Sequence, residues 1–160
     1  MLDWEENLFI GLKSLHRRFF IRPKEQQRAA VRSTLKEHRG ALLYLGRMIR
    51  GGELLLFETD DLTLCANERI FLPTEMTRGA TVEINRALYE LRTIVAALAI
   101  RHKWTNGQSD LPTLLSTCTE DLPGLPEKID FLKHALGSDE EFWNCLGRLP
   151  DLSDIAGKPE

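Results

Sequence analysis

An α+β fold, helix-rich and forming a single domain with a small antiparallel β-sheet covered by a long helix, is predicted for this 160-residue chain. Three observations predict it. Apolar residues step at helical spacing in two long stretches, Val31 to Ile49 and Ile84 to Leu98. Between them, from Glu53 to Pro73, the period changes to short apolar runs broken by turn residues. The composition, 42% hydrophobic and 28% charged, is that of a chain that buries a core. Four regions follow along the chain: a helical and β-meander core over 1–104, an irregular connection over 105–126, a helical pair over 127–147 and a tail over 148–160.

The elements are justified in order. Asp3 to Phe20 reads as a first helix with Leu8, Leu12, Leu15 and Phe19 on one stripe, acidic residues in its first turn and Arg17 and Arg18 in its last. Pro23 ends it or opens the next. Lys24 to Arg50 reads as one long helix, because Val31, Leu35, His38, Leu42, Leu45 and Ile49 step by 4, 3, 4, 3 and 4. Gly51-Gly52 closes it. "ELLLFE", "LTLCA" and "RIFLP" read as two or three antiparallel strands, with "TDD" and "NE" supplying tight turns. So small a sheet needs a helix over its apolar face. Thr81 to His102 supplies it through Ile84, Leu88, Leu91, Val95 and Leu98. Pro112, Pro123, Gly124 and Pro126 mark a loop or short-helix connection. Glu127–Leu136, closed by Gly137, and a helix opened by the capping box Ser138-x-x-Glu141 complete the pattern.

Charge and cysteine usage narrow the class. The net charge of −3 gives no overall pull toward nucleic acid or anionic membrane. Its distribution is uneven: Lys13 to Arg50 carries +9, and Thr105 to the end carries −7. The acidic C-terminal part is expected to pack near the basic helices, or both faces to be solvated. No apolar run reaches the length of a membrane span, and the acidic start "MLDWEENLFIGL" is unlike a signal peptide. Three cysteines with no CxxC pair fit reduced thiols in the cytoplasm.

No catalytic, cofactor or metal site is expected. His38 and His102 lack a metal-ligating neighbour at i,i+3 or i,i+4. Asp60 and Asp61, beside Glu58, fit a hairpin turn. Cys65 lies in a strand pattern with no neighbour that lowers its pKa. "DLSDI" at 151–155 has Ile155 where a metal-adhesion motif needs a second serine. Arg28, Arg32 and Lys36 recur every four residues, with Arg39 near them, forming a basic face that would meet an anionic or protein partner. Asn85 and Tyr89 share one helix face by their i,i+4 spacing and, with Pro73 at a strand end, are expected to hold the loop to the helix.

The segment "IFLPTEMTRGATVEINRALYELRTIVAALA", Ile70 to Ala99, resembles the region N-terminal to the A domain in MoxR-associated von Willebrand factor A proteins. The similar features are Leu72-Pro73, Asn85, Leu88-Tyr89 and the alanine-rich helix, preceded by a helix and Gly51-Gly52. The resemblance implies a non-catalytic accessory that helps a AAA+ ATPase act on a target such as a metalloenzyme. A protein-interaction or adaptor module is therefore the expected function. One alternative is a nucleic-acid-binding regulator using Arg28, Arg32, Lys36 and Arg39. Another is an enzyme whose site assembles from Cys65, His38 or the Asp60–Asp61 turn.

Overall fold

Helix α2, Val82–Arg101, is the element on which the others pack. The structure, a computed structural model, describes residues 28–60, 63–104, 111–120 and 122–149. The helix expected over Asp3–Phe20 therefore lies outside the described residues. In chain order the elements are β1 (Ser33–Thr34), α1 (Leu35–Arg50), β2 (Leu55–Thr59), β3 (Cys65–Ala66), β4 (Arg69–Pro73), β5 (Glu75–Met76) and α2. There follow α3 (Leu111–Cys118), α4 (Leu125–Leu136) and α5 (Asp139–Leu146). This is a helix-rich α+β fold with two small sheets that do not close into a barrel.

From Leu88 onward α2 is buried nearly all round: Leu88, Leu91, Val95, Leu98 and alanines 96, 97 and 99 all lie in the core. A helix without a solvated side must be central, and its alanines let neighbours come close. Against it α1 presents Leu35, Leu42, Gly46 and Ile49. A methyl group added at Gly46 would stand 3.1 Å from Ile70 and 3.2 Å from Leu54, so that position is small because the sheet and α2 press on it. Thr81 caps α2, its hydroxyl accepting from the Ile84 N–H at 3.2 Å.

The helix expected from Lys24 to Arg50 is interrupted. Residues 28–31 are helical, but Ser33 and Thr34 are extended and pair antiparallel with Met76 and Glu75. The Leu35 N–H then donates to the Thr74 carbonyl at 2.9 Å before α1 begins. Serine and threonine are weak helix-interior residues because their side chains compete for main-chain bonds. Here the long-range pairing with β5 supplies the alternative. Apolar spacing alone could not reveal this, since Leu35, Leu42 and Ile49 keep their period on the shorter helix.

The sheet also departs from a meander. β3 and β4 form the expected antiparallel hairpin, turning at Asn67, whose φ is 54°. β2, however, runs parallel to β4, Leu55 opposite Arg69 through Thr59 opposite Pro73, giving the order β2-β4-β3. β3 therefore lies on the far side of β4 from β2 instead of beside it. Leu56, Ile70, Leu72 and Cys65 are buried on the face that the helices cover, β2 lying against α1 and β3 and β4 against α2.

On the C-terminal side, α3 falls within the connection expected over 105–126. Gly137 closes α4, and the Ser138 hydroxyl accepts from the Glu141 N–H at 3.2 Å to open α5. The stretch read as a tail begins inside the fold. Leu149 is buried, and the Arg148 carbonyl accepts from the Leu64 N–H at 2.9 Å beside a bridge to Thr63. No helix among the described residues is long and apolar enough to cross a membrane.

Candidate functional site

Three places hold the residues singled out in the sequence, and a fourth holds residues that were not. The first is the junction between the loop at 77–81 and α2. Asn85, fully buried, accepts from the Gly79 N–H at 2.7 Å through Oδ1. Its Nδ2 donates to the Val31 carbonyl at 2.7 Å and to the Gly79 carbonyl at 3.3 Å. One turn on, the Tyr89 hydroxyl donates to the Pro73 carbonyl at 2.8 Å, with the Ser33 carbonyl at 3.5 Å. Burial, and then the nearby Glu75 carboxylate, push the Tyr89 phenol above its ordinary value, which keeps it a proton donor. His38 lies beside this pair, its Nε2 2.8 Å from Ser33 Oγ and its ring 6.2 Å from that of Tyr89. The amide and the phenol thus join α2 to the adjoining loop at Gly79, to the end of β4 at Pro73 and to Val31, 54 residues before Asn85.

The second place is the cysteines. Cys65 and Cys145 are free and buried. Burial pushes the Cys65 thiol up to about 12. Burial, and then the Glu141 carboxylate 3.5 Å away, push Cys145 up to about 11. Both stay protonated near neutrality, and the thiolate is the reactive form. At pH 9 we expect iodoacetamide to modify Cys65 in the folded protein roughly several hundredfold more slowly than in urea, each unit being tenfold. Peptide mapping by mass spectrometry reads this out; equal rates would contradict the burial. The same shift makes folding hold the proton more tightly, so its contribution to stability falls as pH rises from 9 toward 12. Asp60 is exposed at the end of β2, and Asp61 lies outside the described residues. Among the described residues no group of three His, Cys, Asp or Glu side chains is placed to hold a metal ion.

The third place is the basic residues, and here the expected ridge is corrected. Arg28 and Arg32 precede β1 while Lys36 and Arg39 follow it, so the four do not share one helix. Arg32 Nη1 pairs with Glu75 at 3.3 Å. Arg39 Nη2 donates to the Leu56 carbonyl at 2.6 Å, and Arg47 Nη2 donates to the Leu54 carbonyl at 3.4 Å. These two arginines of α1 reach over the outer edge of β2 and cap alternate carbonyls. We expect Arg39→Ala to cost about 1 kcal/mol, the usual net worth of one such bond at a half-solvated site. Urea titration measures it, and an unchanged midpoint would mean water replaces the guanidinium at no cost.

No family model, curated protein or solved structure matches this chain.

The fourth place was missed by sequence reasoning. The sheet face turned away from α2 carries Leu55, Phe57, Arg69 and Phe71. Leu55 is 55% and Phe57 42% exposed, and the Phe57 and Phe71 rings lie 6.1 Å apart. Arg69 holds its guanidinium carbon 5.7 Å above the Phe57 ring. A signal was present: "LLLF" has apolar residues at four successive positions, and a strand alternates sides, so two of them had to face away from the core.

Proposed function

We propose that this chain is a non-catalytic protein-interaction module, an adaptor, which binds its partner through the open face of the three-stranded sheet. The observation that carries the reading is the contiguous surface of Leu55, Phe57 and Phe71, interrupted by a single charge, Arg69. Large apolar side chains gathered on one face cost free energy in water, about 25 cal/mol per Å², and a partner that covers them recovers it. The chemically capable groups point the same way. The Cys65 thiol is held protonated, and Asn85 and Tyr89 spend their hydrogen-bonding capacity on the main chain.

The partner we propose is a AAA+ ATPase, met in the cytoplasm, with a metalloenzyme as the shared target. The support is the resemblance of Ile70–Ala99 to the segment preceding the A domain of MoxR-associated proteins. A nucleic-acid regulator is the weaker reading, because Arg32 and Arg39 are committed to Glu75 and to the β2 edge. Phosphate binding draws on cations free to displace the counterions condensed on the nucleic acid.

The test is co-purification with the AAA+ ATPase, comparing wild type with a Leu55→Asp/Phe57→Asp variant. Affinity should fall at least about tenfold, a loss of about 1.4 kcal/mol, while the thermal midpoint stays close to wild type because both side chains are exposed. If the variant binds normally and Arg28→Glu/Lys36→Glu does not, the basic surface is the interface and the sheet-face reading is wrong.

A further inference from the structure

We propose that the open sheet face receives an amphipathic α-helix of the partner protein, laid over β2 and β4 with a carboxylate against Arg69. This rests on the reading of the chain as an interaction module and says what kind of segment occupies its surface.

The edges of the sheet argue against strand addition. A strand joining β2 would have to displace the Arg39 and Arg47 guanidinium groups from the Leu56 and Leu54 carbonyls. On the other side β3 is only two residues long, and the chain at Thr63 and Leu64 is already engaged by Arg148. Sheet edges blocked by side chains or by chain segments do not recruit further strands. The way left open is onto the face.

The face fits a helix in size and chemistry. β2 and β4 are each five residues long, about 17 Å. Three turns of helix cover that length, at 1.5 Å per residue. The outward positions of the two strands, from Leu55 opposite Arg69 to Thr59 opposite Pro73, are apolar or uncharged except Arg69. That composition suits a helix whose apolar residues recur at i, i+3 or i+4, and i+7. Arg69 is already desolvated on one side by the Phe57 ring, and no carboxylate projects from the outward positions to neutralise it. An acidic side chain near one end of the incoming helix completes the pair with a planar, charge-assisted contact. A nucleic-acid strand suits the face less well: the aromatic pair could stack bases, but a single cation does not track a phosphate backbone.

The experiment replaces Phe57 with the photocross-linker p-benzoylphenylalanine in the full chain, irradiates the cells that naturally make it, and maps the adduct by mass spectrometry. The expected adduct lies in a partner segment with apolar residues at helical spacing and an Asp or Glu within one turn. Arg69→Glu should lower the adduct yield at least about tenfold, and reversing that partner carboxylate to Lys should restore it. An adduct on an extended or irregular partner segment, insensitive to Arg69→Glu, overturns the helix while leaving the interaction module standing. Adducts only with nucleic acid, with a second copy or with residues 1–27 of this chain overturn both readings. So does the absence of any adduct.

Discussion

Replacing Asn85 with alanine is expected to destabilise the fold by about 3 kcal/mol, more than most single substitutions of a polar residue. The side chain makes three hydrogen bonds and is fully buried, so water does not take its place. Its loss strands the Gly79 N–H and the Val31 carbonyl, and each buried group left without a partner costs about 1–3 kcal/mol. The loop also cannot adjust freely. A side chain added at Gly79 would collide with Ile84 and meet Asn85 Oδ1, so the backbone there already lies tight against α2. Asn85→Asp separates the donor role from the acceptor role. It keeps an oxygen toward the Gly79 N–H but sets a carboxylate against two carbonyls. It should therefore be worse than alanine at neutral pH and recover as acid protonates it. Urea unfolding by circular dichroism provides the free energies; a loss under about 1 kcal/mol for Asn85→Ala would show that the three bonds are replaceable.

Phe142→Ala is the second large effect, about 3–5 kcal/mol. Phe142 has no exposed surface, and its ring stands edge-on to Trp143 at 4.9 Å with the Lys133 ammonium 5.6 Å from its centroid. Removing the ring leaves a cavity between α5, α4 and α2 that helices tied at both ends close poorly. α5 is fixed at its start by the Ser138 cap and just beyond its end by the Arg148 bridge to Thr63, two residues before β3. Phe142 belongs to the same continuous core as Leu35, Ile70 and Leu98. The penalty should therefore fall on the whole domain, and tryptophan fluorescence and circular dichroism should shift together. Two separated transitions would falsify this, because they would mean that the C-terminal helices unfold alone.

How far the sequence could be read depended on whether local or distant partners decided each element. α2 was legible almost to the residue, because Thr81 offers a cap and the apolar stripe from Ile84 to Leu98 admits one period. α5 announced itself through Ser138 and Glu141. The break at Ser33–Thr34 was not legible. Its cause lies about forty residues away in Glu75 and Met76, and the helical period continues undisturbed on either side. The parallel pairing of β2 with β4 was hidden for the same reason: alternation assigns side chains to faces but says nothing of which strand lies beside which. Asn85 and Tyr89 were recognisable as a pair from their spacing. Their partners Val31 and Pro73 became apparent only with the chain folded. The basic ridge misled because charge periodicity persists across a break that the backbone makes.

The arginines that cap β2 bear on how this protein behaves when crowded. Leu54 to Phe57 is a four-residue apolar run at the start of an edge strand, the kind of exposed apolar edge that pairs with other chains. Glu53 and Glu58 flank it as charged gatekeepers. Arg39 and Arg47 hold two of the carbonyls that a stacking neighbour would need. The fold can thus keep a sticky face outward without exposing the ladder that would turn stickiness into fibrils.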